Sequence, residues 1–135
     1  MALDIQDQFA IEELLRRCCY NADYNPPESM REIFTPDAVF EVPAMDISCQ
    51  GIDNMIAFFT QSRAGFPSAR HVINNVVVEG DGDTAKSSAY LQVLRTDEGA
   101  IGVVSVGRYL DTLRRTAAGW RLAHRLPMHF HRFVC

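Results

Sequence analysis

The sequence predicts an α+β fold in which helices come early in the chain and long strands follow. Apolar residues recur with helical spacing at three places before residue 65, whereas β-branched and alternating runs occupy almost everything after it. Helices and strands that are segregated in this way are typical of α+β rather than α/β domains. We therefore predict a curled antiparallel sheet, one face of which is covered by three helices from the N-terminal half.

The first helix is predicted over residues 4–23, and a second, short helix follows it. Apolar side chains of the first helix recur every three or four residues, and charged side chains take the opposite side. The apolar side consists of Ile11, Leu14, Leu15, Cys18, Cys19 and Ala22. Asp4 or Asp7 is suited to cap the start of this helix. Prolines at positions 26 and 27 then break the chain, and PESMREIF at 27–34 predicts the second helix.

A short strand and a third helix are predicted next. Side chains alternate over residues 38–42, which predicts the first strand, and residues 35–37 before it are a turn signal. Residues 43–49 are predicted to form a loop or an irregular hairpin partner. The third helix is predicted from residue 52 to residue 62, and Gly65-Phe66-Pro67 ends it.

Four long strands complete the predicted sheet, over residues 69–79, 84–96, 100–115 and 119–133. Glycine- and aspartate-rich turns separate them at residues 80–83, 97–99 and 117–119. Strands of globular proteins usually have about five or six residues. Because neighbouring strands twist, an antiparallel sheet of such long strands is expected to curl.

Size and composition indicate a single domain over residues 1–135. The net charge of −4 comes from interspersed acids and bases, which argues against a nucleic-acid-binding surface. No apolar run reaches the roughly 18–20 residues of a membrane span. The N-terminal MALDIQDQF has acids where a secretion signal has basic residues, and the four cysteines lack Cys-x-x-Cys spacing. We expect a cytoplasmic protein with reduced thiols and with neither nucleic acid nor membrane as a partner.

One β-branched stretch, RHVINNVVV at residues 70–78, has polar residues where a sheet core would have Val, Ile or Leu. Buried polar groups cost free energy unless they are hydrogen-bonded, so His71, Asn74 and Asn75 need partners, a pocket or solvent. Asp23 is also unusual, because the helix dipole disfavours a carboxylate at a helix C-terminus. Taken alone, a histidine bonded to backbone and a solvated aspartate before Pro26 explain these residues equally well.

The order and spacing of several motifs resemble the SnoaL-like family of the nuclear-transport-factor-2-like superfamily. These motifs are REIFTPDAVFEV, GIDNMIAFF, RHVINNVVVEGDGDTAKSSAYLQVL and YLDTLRRTAAGWRLAHR. The resemblance implies a cone-shaped α+β barrel. It implies no single activity, because the superfamily includes cyclases, isomerases, dehydratases, a dehydrochlorinase and proteins without catalysis. Asp23 and His71 match the catalytic aspartate and histidine of its dehydratase and dehydrochlorinase members.

The resemblance and the chemistry of such a pair together suggest a function. An aspartate bound to one imidazole nitrogen fixes the tautomer of the ring and stabilises the imidazolium. The other nitrogen then faces the cavity as a general base. We therefore expect a lyase or isomerase, without metal or organic cofactor, that acts on a small, hydrophobic, cyclic substrate. A non-catalytic ligand-binding or accessory subunit is the alternative. An epoxide hydrolase would need an Asp–Arg–Asp arrangement, which has no match here.

Other residues are weaker site candidates. Tyr20 and Tyr24 carry phenols able to donate to a substrate oxygen, although family members have their tyrosine at positions that are Cys18 and Ala22 here. Asn75 shares a strand face with His71 if alternation is regular. Arg125 is expected to bind an anionic group or to pair with a surface acid. The cavity lining is expected from Phe40, Met45, Phe58, Phe59, Phe66 and Met128.

Two expectations concern metals and partners. His124, His129 and His131 invite a metal site, but no third ligand has suitable spacing, so none is predicted. A sheet with helices on one face leaves its other face available for a second copy of the chain. We expect a homo-dimer or homo-trimer that binds a small hydrophobic ligand or substrate.

Overall fold

A computed structural model describes residues 2–97 and 99–132 of the chain, and at positions 129 and 132 it describes the backbone alone. Glu98 of the predicted turn at 97–99 and residue 133 of the last predicted strand lie outside the described residues. The α+β class is confirmed, with its helices in the first half of the chain and most of the sheet in the second.

Three helical segments cover one face of the sheet. Helix α1 spans Ile5–Asp23 and helix α2 spans Ile52–Gly65. The Asp4 side chain caps α1 by accepting a hydrogen bond from the backbone N–H of Asp7 at 2.8 Å. The predicted second helix is a 3₁₀ helix over Pro27–Glu32, shorter than PESMREIF suggested, because Phe34 already belongs to a strand.

Six strands form one mixed sheet. They are β1 (Phe34–Val42), β2 (Ile47–Gln50), β3 (Ala69–Asp81), β4 (Thr84–Arg95), β5 (Gly102–Thr116) and β6 (Gly119–Arg132). The spatial order is β2-β1-β6-β5-β4-β3, so β2 and β3 are edges and the sheet is not closed. The last four strands form the expected antiparallel meander. Strands β1 and β6 are parallel, which the sequence pattern did not indicate.

Strand β1 corrects the prediction of a turn at residues 35–37. The chain is already extended there, because Thr35 is buried and the carbonyl of Ile33 accepts a hydrogen bond from Leu122 of β6 at 2.8 Å. Pro36 has no N–H to donate, and the register of β1 with β6 is irregular between Phe34 and Val39. Residues 43–49 divide into a 3₁₀ turn, Pro43–Met45, and the start of edge strand β2.

The core lies between the helices and the concave face of the sheet. Helix α1 contributes Ile11 and Leu15, which pack with Leu113 and Leu122 of the sheet, and all four are almost completely buried. Burying each of these side chains is worth about 1.5–3 kcal/mol relative to leaving it exposed. The core occupies one end of the concave face, and toward the other end the helices and the sheet leave an open space.

Candidate functional site

A cavity of about 490 Å³ opens between the helices and the concave face of the sheet. All six strands contribute to its wall, from Ile47 on one edge strand to His71 on the other, which shows how far the sheet curls. Its volume falls in the range of about 300–1,000 Å³ that is usual for sites binding small molecules.

Aromatic side chains dominate the apolar part of the wall. Phe40 of β1 contacts Phe58 and Phe59 of α2, with ring centroids 5.5 and 5.3 Å away, respectively. Phe40 and Phe59 therefore lie where the sequence analysis put them, together with Met45, Phe58 and Phe66. Met128 is not among the lining residues. Such a wall suits an apolar ring system rather than an extended polar molecule.

Asp23 and His71 meet at this wall through two hydrogen bonds. The backbone N–H of His71 donates to Oδ2 of Asp23 at 2.9 Å, and Nδ1 of the ring lies 2.6 Å from Oδ1. An ionised carboxylate only accepts, so Nδ1 carries the proton and Nε2 is left as an acceptor. The Asp23 side chain is only 6% exposed, whereas that of His71 is 29% exposed and lines the cavity.

The fold explains how two such distant residues meet. Helix α1 packs along β3 and ends at Asp23, beside the beginning of that strand. One carboxylate therefore bonds to both the backbone and the ring of His71, which leaves the imidazole little freedom to rotate. The chemical consequence is a fixed ring with its free nitrogen on the cavity side.

Arg125 is buried in the cavity wall, which corrects the expectation that it pairs with a surface acid. Its guanidinium donates two hydrogen bonds of 2.9 Å to the carboxylate of Asp111, its direct neighbour on β5. The guanidinium also lies 3.7 Å from the ring centroid of Tyr109 and contacts Cys18 Sγ at 3.4 Å. Burial alone would lower the pKa of Arg125, but the charge of Asp111 outweighs it and holds that pKa well above its ordinary value.

Two cysteines and a tyrosine line the cavity near Arg125. Burial raises the pKa of Cys18, and burial together with the neighbouring Cys18 raises the pKa of Cys19 to about 12. Burial also raises the pKa of Tyr109. At neutral pH these groups are therefore protonated, and the two thiols are poor nucleophiles.

Two tyrosines that the sequence analysis considered lie outside the cavity. Tyr20 is 65% exposed, one turn before Asp23 on the outer side of α1, and its ring stacks near that of Tyr24. Tyr24 is 61% exposed and accepts a hydrogen bond from Arg70 Nε at 2.7 Å. Helical geometry gives the reason, since residues three apart do not point the same way as their immediate neighbours. Neither phenol lines the cavity wall.

Asn75 is also directed away from the cavity, because a β-bulge interrupts β3. The register with β4 shifts between Asn74 and Val77, and Asn75 has a φ of 53°. His71 and Ile73 face inward before the bulge, and Val76 and Val78 do so after it. The regular alternation that would have placed Asn75 and Val77 beside His71 is therefore wrong.

Sequence reasoning missed three polar residues of the wall. Arg63 and Ser62 come from the last turn of α2, and Ser105 comes from β5. Their environment depends on packing between elements far apart in the chain. The one local signal is the cationic residue in the last turn of a helix, a favoured position that nevertheless has many partners available.

Among residues 2–97 and 99–132, no group of three or more His, Cys, Asp or Glu side chains is arranged to hold a metal ion. His124 contacts Glu41 of β1 through Nε2 at 2.9 Å. The side chain of His129 lies outside the described part of the structure, so the proposed histidine cluster is described only in part.

The curled sheet, its helical cover and the enclosed cavity define a nuclear-transport-factor-2-like protein with a cystatin-like fold. A protein so described from Novosphingobium aromaticivorans has a TM-score of 0.80 and 28% identity, with 91% of this chain and 81% of that chain covered. The chain belongs to the SnoaL-like domain family, whose model matches residues 4–126. The predicted resemblance is therefore confirmed.

Two further similarities extend this comparison. An uncharacterized protein of Mycobacterium tuberculosis is 28% identical over 130 residues, covering 91% of this chain and 85% of its own length. A protein of Novosphingobium aromaticivorans provisionally named scytalone dehydratase has a TM-score of 0.78 and 19% identity, with 97% and 90% of the two chains covered. At that identity the similarity shows the fold alone. In the part of the chain that the structure describes, no helix combines the length and apolar character of a membrane span.

Proposed function

We propose that the protein is a cofactor-independent lyase or isomerase that removes a proton from a small, hydrophobic, cyclic substrate. The observation that carries the proposal is the double hydrogen bond between Asp23 and His71 at the wall of a largely apolar cavity. His71 acts as general base through Nε2, and Asp23 orients the ring and stabilises the imidazolium formed on proton uptake.

The chemistry follows from the position of the free nitrogen. Nε2 takes a proton from the carbon next to a substrate carbonyl, and the electron pair of the broken C–H bond forms an enolate. In an elimination, this pair forms a C=C bond as a β-hydroxyl leaves, and the imidazolium returns the proton so that water is released. In an isomerisation, the imidazolium returns the proton to a different carbon. Neither course needs a metal or an organic cofactor.

The cavity supports a ring-shaped substrate. Phe40, Phe58 and Phe59 offer aromatic faces and edges, and the buried Arg125–Asp111 pair adds no net charge to the wall. The neighbour provisionally named scytalone dehydratase has the same fold, and its name is compatible with an elimination. The wall thus favours an uncharged ring with one or two oxygen substituents.

A panel of hydroxy- and keto-ring compounds in deuterated water tests the proposal. The wild type should release water from a member of the panel, or exchange a carbon-bound proton for deuterium, as followed by NMR and mass spectrometry. His71→Ala should reduce the rate by about 100- to 10,000-fold, the usual contribution of a general base. Rates that are indifferent to His71→Ala would contradict the proposal. Binding of the same compounds without conversion would indicate a ligand-binding protein instead.

The homo-dimer or homo-trimer remains part of this proposal. Val77 and Tyr90, on neighbouring strands of the sheet, are 62% and 55% exposed although both are large hydrophobic residues. A second copy packed on this face would bury them. The molar mass measured by light scattering after gel filtration should be two or three times the 15.2 kDa of the chain. A monomer at micromolar concentration would contradict this expectation.

A further inference from the structure

Arg63 holds the end of the helix that carries Asp23. It lies in the last turn of α2, and its Nη1 donates to the backbone carbonyls of Asn21, Ala22 and Asn25 at 3.4, 3.2 and 2.7 Å. These carbonyls stand on both sides of Asp23 in the sequence. A single guanidinium group therefore ties together the last turn of α1 and the segment that leaves it.

The end of a helix needs such a partner for two physical reasons. The last four carbonyls of a helix have no N–H partner within it, and they form the negative end of the helix dipole. In α1, backbone N–H groups satisfy the carbonyl of Tyr20, and Arg63 satisfies those of Asn21 and Ala22. The positive charge of Arg63 also offsets the negative helix end, where the Asp23 carboxylate adds a further negative charge.

Arg63 is free to serve this purpose because no carboxylate claims it. Within residues 2–97 and 99–132, its hydrogen bonds all go to main-chain carbonyls of α1 and the residues just after it. It also lines the cavity, beside Asp23 and His71. Arg17 of α1 differs in this respect, since it forms an exposed surface pair with Glu13 at 3.2 Å.

We propose that Arg63 is a positioning residue for the Asp23–His71 pair, which it serves by clamping the C-terminal end of α1 against α2. This inference rests on the proposed function, because positioning matters only if the pair is used. Arg63 does not take or give a proton. It fixes the backbone from which the Asp23 carboxylate reaches β3, so that both carboxylate oxygens meet the two N–H groups of His71.

The first test observes the His71 ring directly and needs no substrate. In protein labelled with ¹⁵N-histidine, the Nδ1 proton bound to Asp23 should give a strongly deshielded resonance, which His71→Ala identifies by its loss. Arg63→Met, which keeps the length of the side chain but removes its donors and charge, should weaken or remove this resonance. Arg63→Lys keeps both the charge and several donors, and it should retain the resonance. Arg17→Met is the matched control and should leave it unchanged.

The second test uses turnover of whichever substrate the panel identifies. Arg63→Met should reduce kcat by about 100-fold, the effect of a small misplacement of a catalytic group, with KM unchanged. Arg63→Lys should restore most of kcat. If Arg63→Met does not fold, Arg63→Gln, which keeps an amide donor at shorter reach, takes its place with the same expectations.

The outcomes separate the two proposals. An unchanged Nδ1 resonance in folded Arg63→Met, or in its Gln substitute, overturns the positioning role whatever the turnover. Loss of the resonance with retention by Arg63→Lys supports that role even if the wild type converts no compound of the panel, a result that would count against the proposed function alone. An equal loss in Arg17→Met would also overturn it, because the effect would then not be specific to the clamp.

Discussion

Asp23 and His71, 48 positions apart in the chain, are joined by two hydrogen bonds from one residue to the two oxygens of a single carboxylate. A single bond would fix the direction of the imidazole but leave its plane free to turn. The second bond, from the backbone of β3, orients the carboxylate itself before it meets the ring. The pair is therefore set by main-chain geometry, which is how a short contact is maintained at a partly open cavity.

Asp23→Asn should leave the fold intact and change the tautomer of His71. The amide oxygen still accepts from the backbone N–H of His71, but the NH₂ group then faces Nδ1 and donates to it. The ring proton moves to Nε2, which can no longer act as a base, so kcat should fall by about 100- to 10,000-fold. Steady-state kinetics and ¹⁵N chemical shifts of the histidine ring measure the two effects.

Asp53→Asn is the matched control for this change. Asp53 lies in the first turn of α2, where its exposed carboxylate pairs with Arg31 at 2.7 Å. Its substitution removes the same charge without touching the cavity, so activity and ring tautomer should stay those of the wild type. A wild-type kcat in Asp23→Asn would remove the basis for the Asp–His mechanism.

The helices and strands that the sequence predicted are those whose signals are local. The three-and-four spacing of Ile11, Leu14 and Leu15 requires one apolar helix face, and the structure buries it. The four C-terminal strands are separated by turn residues such as Gly82, whose φ of 63° a larger side chain rarely adopts. Such features depend on neighbours within a few positions, so they can be read without the fold.

The features that the sequence did not reveal depend on contacts between distant segments. Nothing in residues 34–42 indicates that β1 pairs in parallel with β6, because a parallel partner leaves no turn signature. Arg125 resembles any strand arginine until its neighbour on β5 is known to be the buried Asp111. Asp23 and His71 were singled out through the family resemblance, since each alone has an ordinary explanation.

The buried pair of Arg125 and Asp111 should contribute strongly to stability once either partner is removed. Their side chains are 4% and 1% exposed, so Asp111→Leu leaves an uncompensated guanidinium inside the protein. We expect the free energy of unfolding to fall by about 3–5 kcal/mol, as is usual when one member of a buried pair is removed. Urea denaturation followed by circular dichroism measures the change.

The double variant Arg125→Met with Asp111→Leu should recover most of this loss, because no charge then remains buried. Arg114 and Asp37 form an exposed pair at 2.7 Å and provide the comparison. Their replacement should change the free energy of unfolding little, since solvent screens exposed pairs. A double variant as unstable as Asp111→Leu alone would show that packing, rather than charge, holds this part of the wall.

Asp7 should make the stability depend on pH in the acid range. Arg115 binds both of its carboxylate oxygens, at 2.9 and 3.0 Å, and Trp120 Nε1 donates to it at 3.1 Å. The hydrogen bond from Arg115, followed by that from Trp120, lowers the pKa of Asp7 from its ordinary value of 3.8 to about 2. A depressed pKa means that the folded state binds its proton less readily than the unfolded chain does.

The stability that Asp7 contributes is therefore fully present above about pH 4 and is lost as the pH falls to about 2. Asp7→Asn should lower the urea midpoint at pH 7, and its difference from the wild type should shrink over that acid range. Arg115→Met should remove the same pH-dependent difference, because Arg115 is its first cause. A difference that stays constant from pH 7 to pH 2 would contradict this assignment.

Asn75 should matter for the backbone of β3 and not for the chemistry. Its φ of 53° lies in the left-handed region, which asparagine tolerates and glycine adopts without strain. Asn75→Ala should therefore lower the free energy of unfolding by about 1 kcal/mol, whereas Asn75→Gly should be close to neutral. Both variants should keep the wild-type kcat, because the bulge directs this side chain away from the cavity. Ile73→Val, a small change on the inward face of the same strand, is the matched core control. A large loss of kcat in Asn75→Gly at unchanged stability would mean that the side chain takes part in the site, and the outward position argued from the bulge would then be wrong.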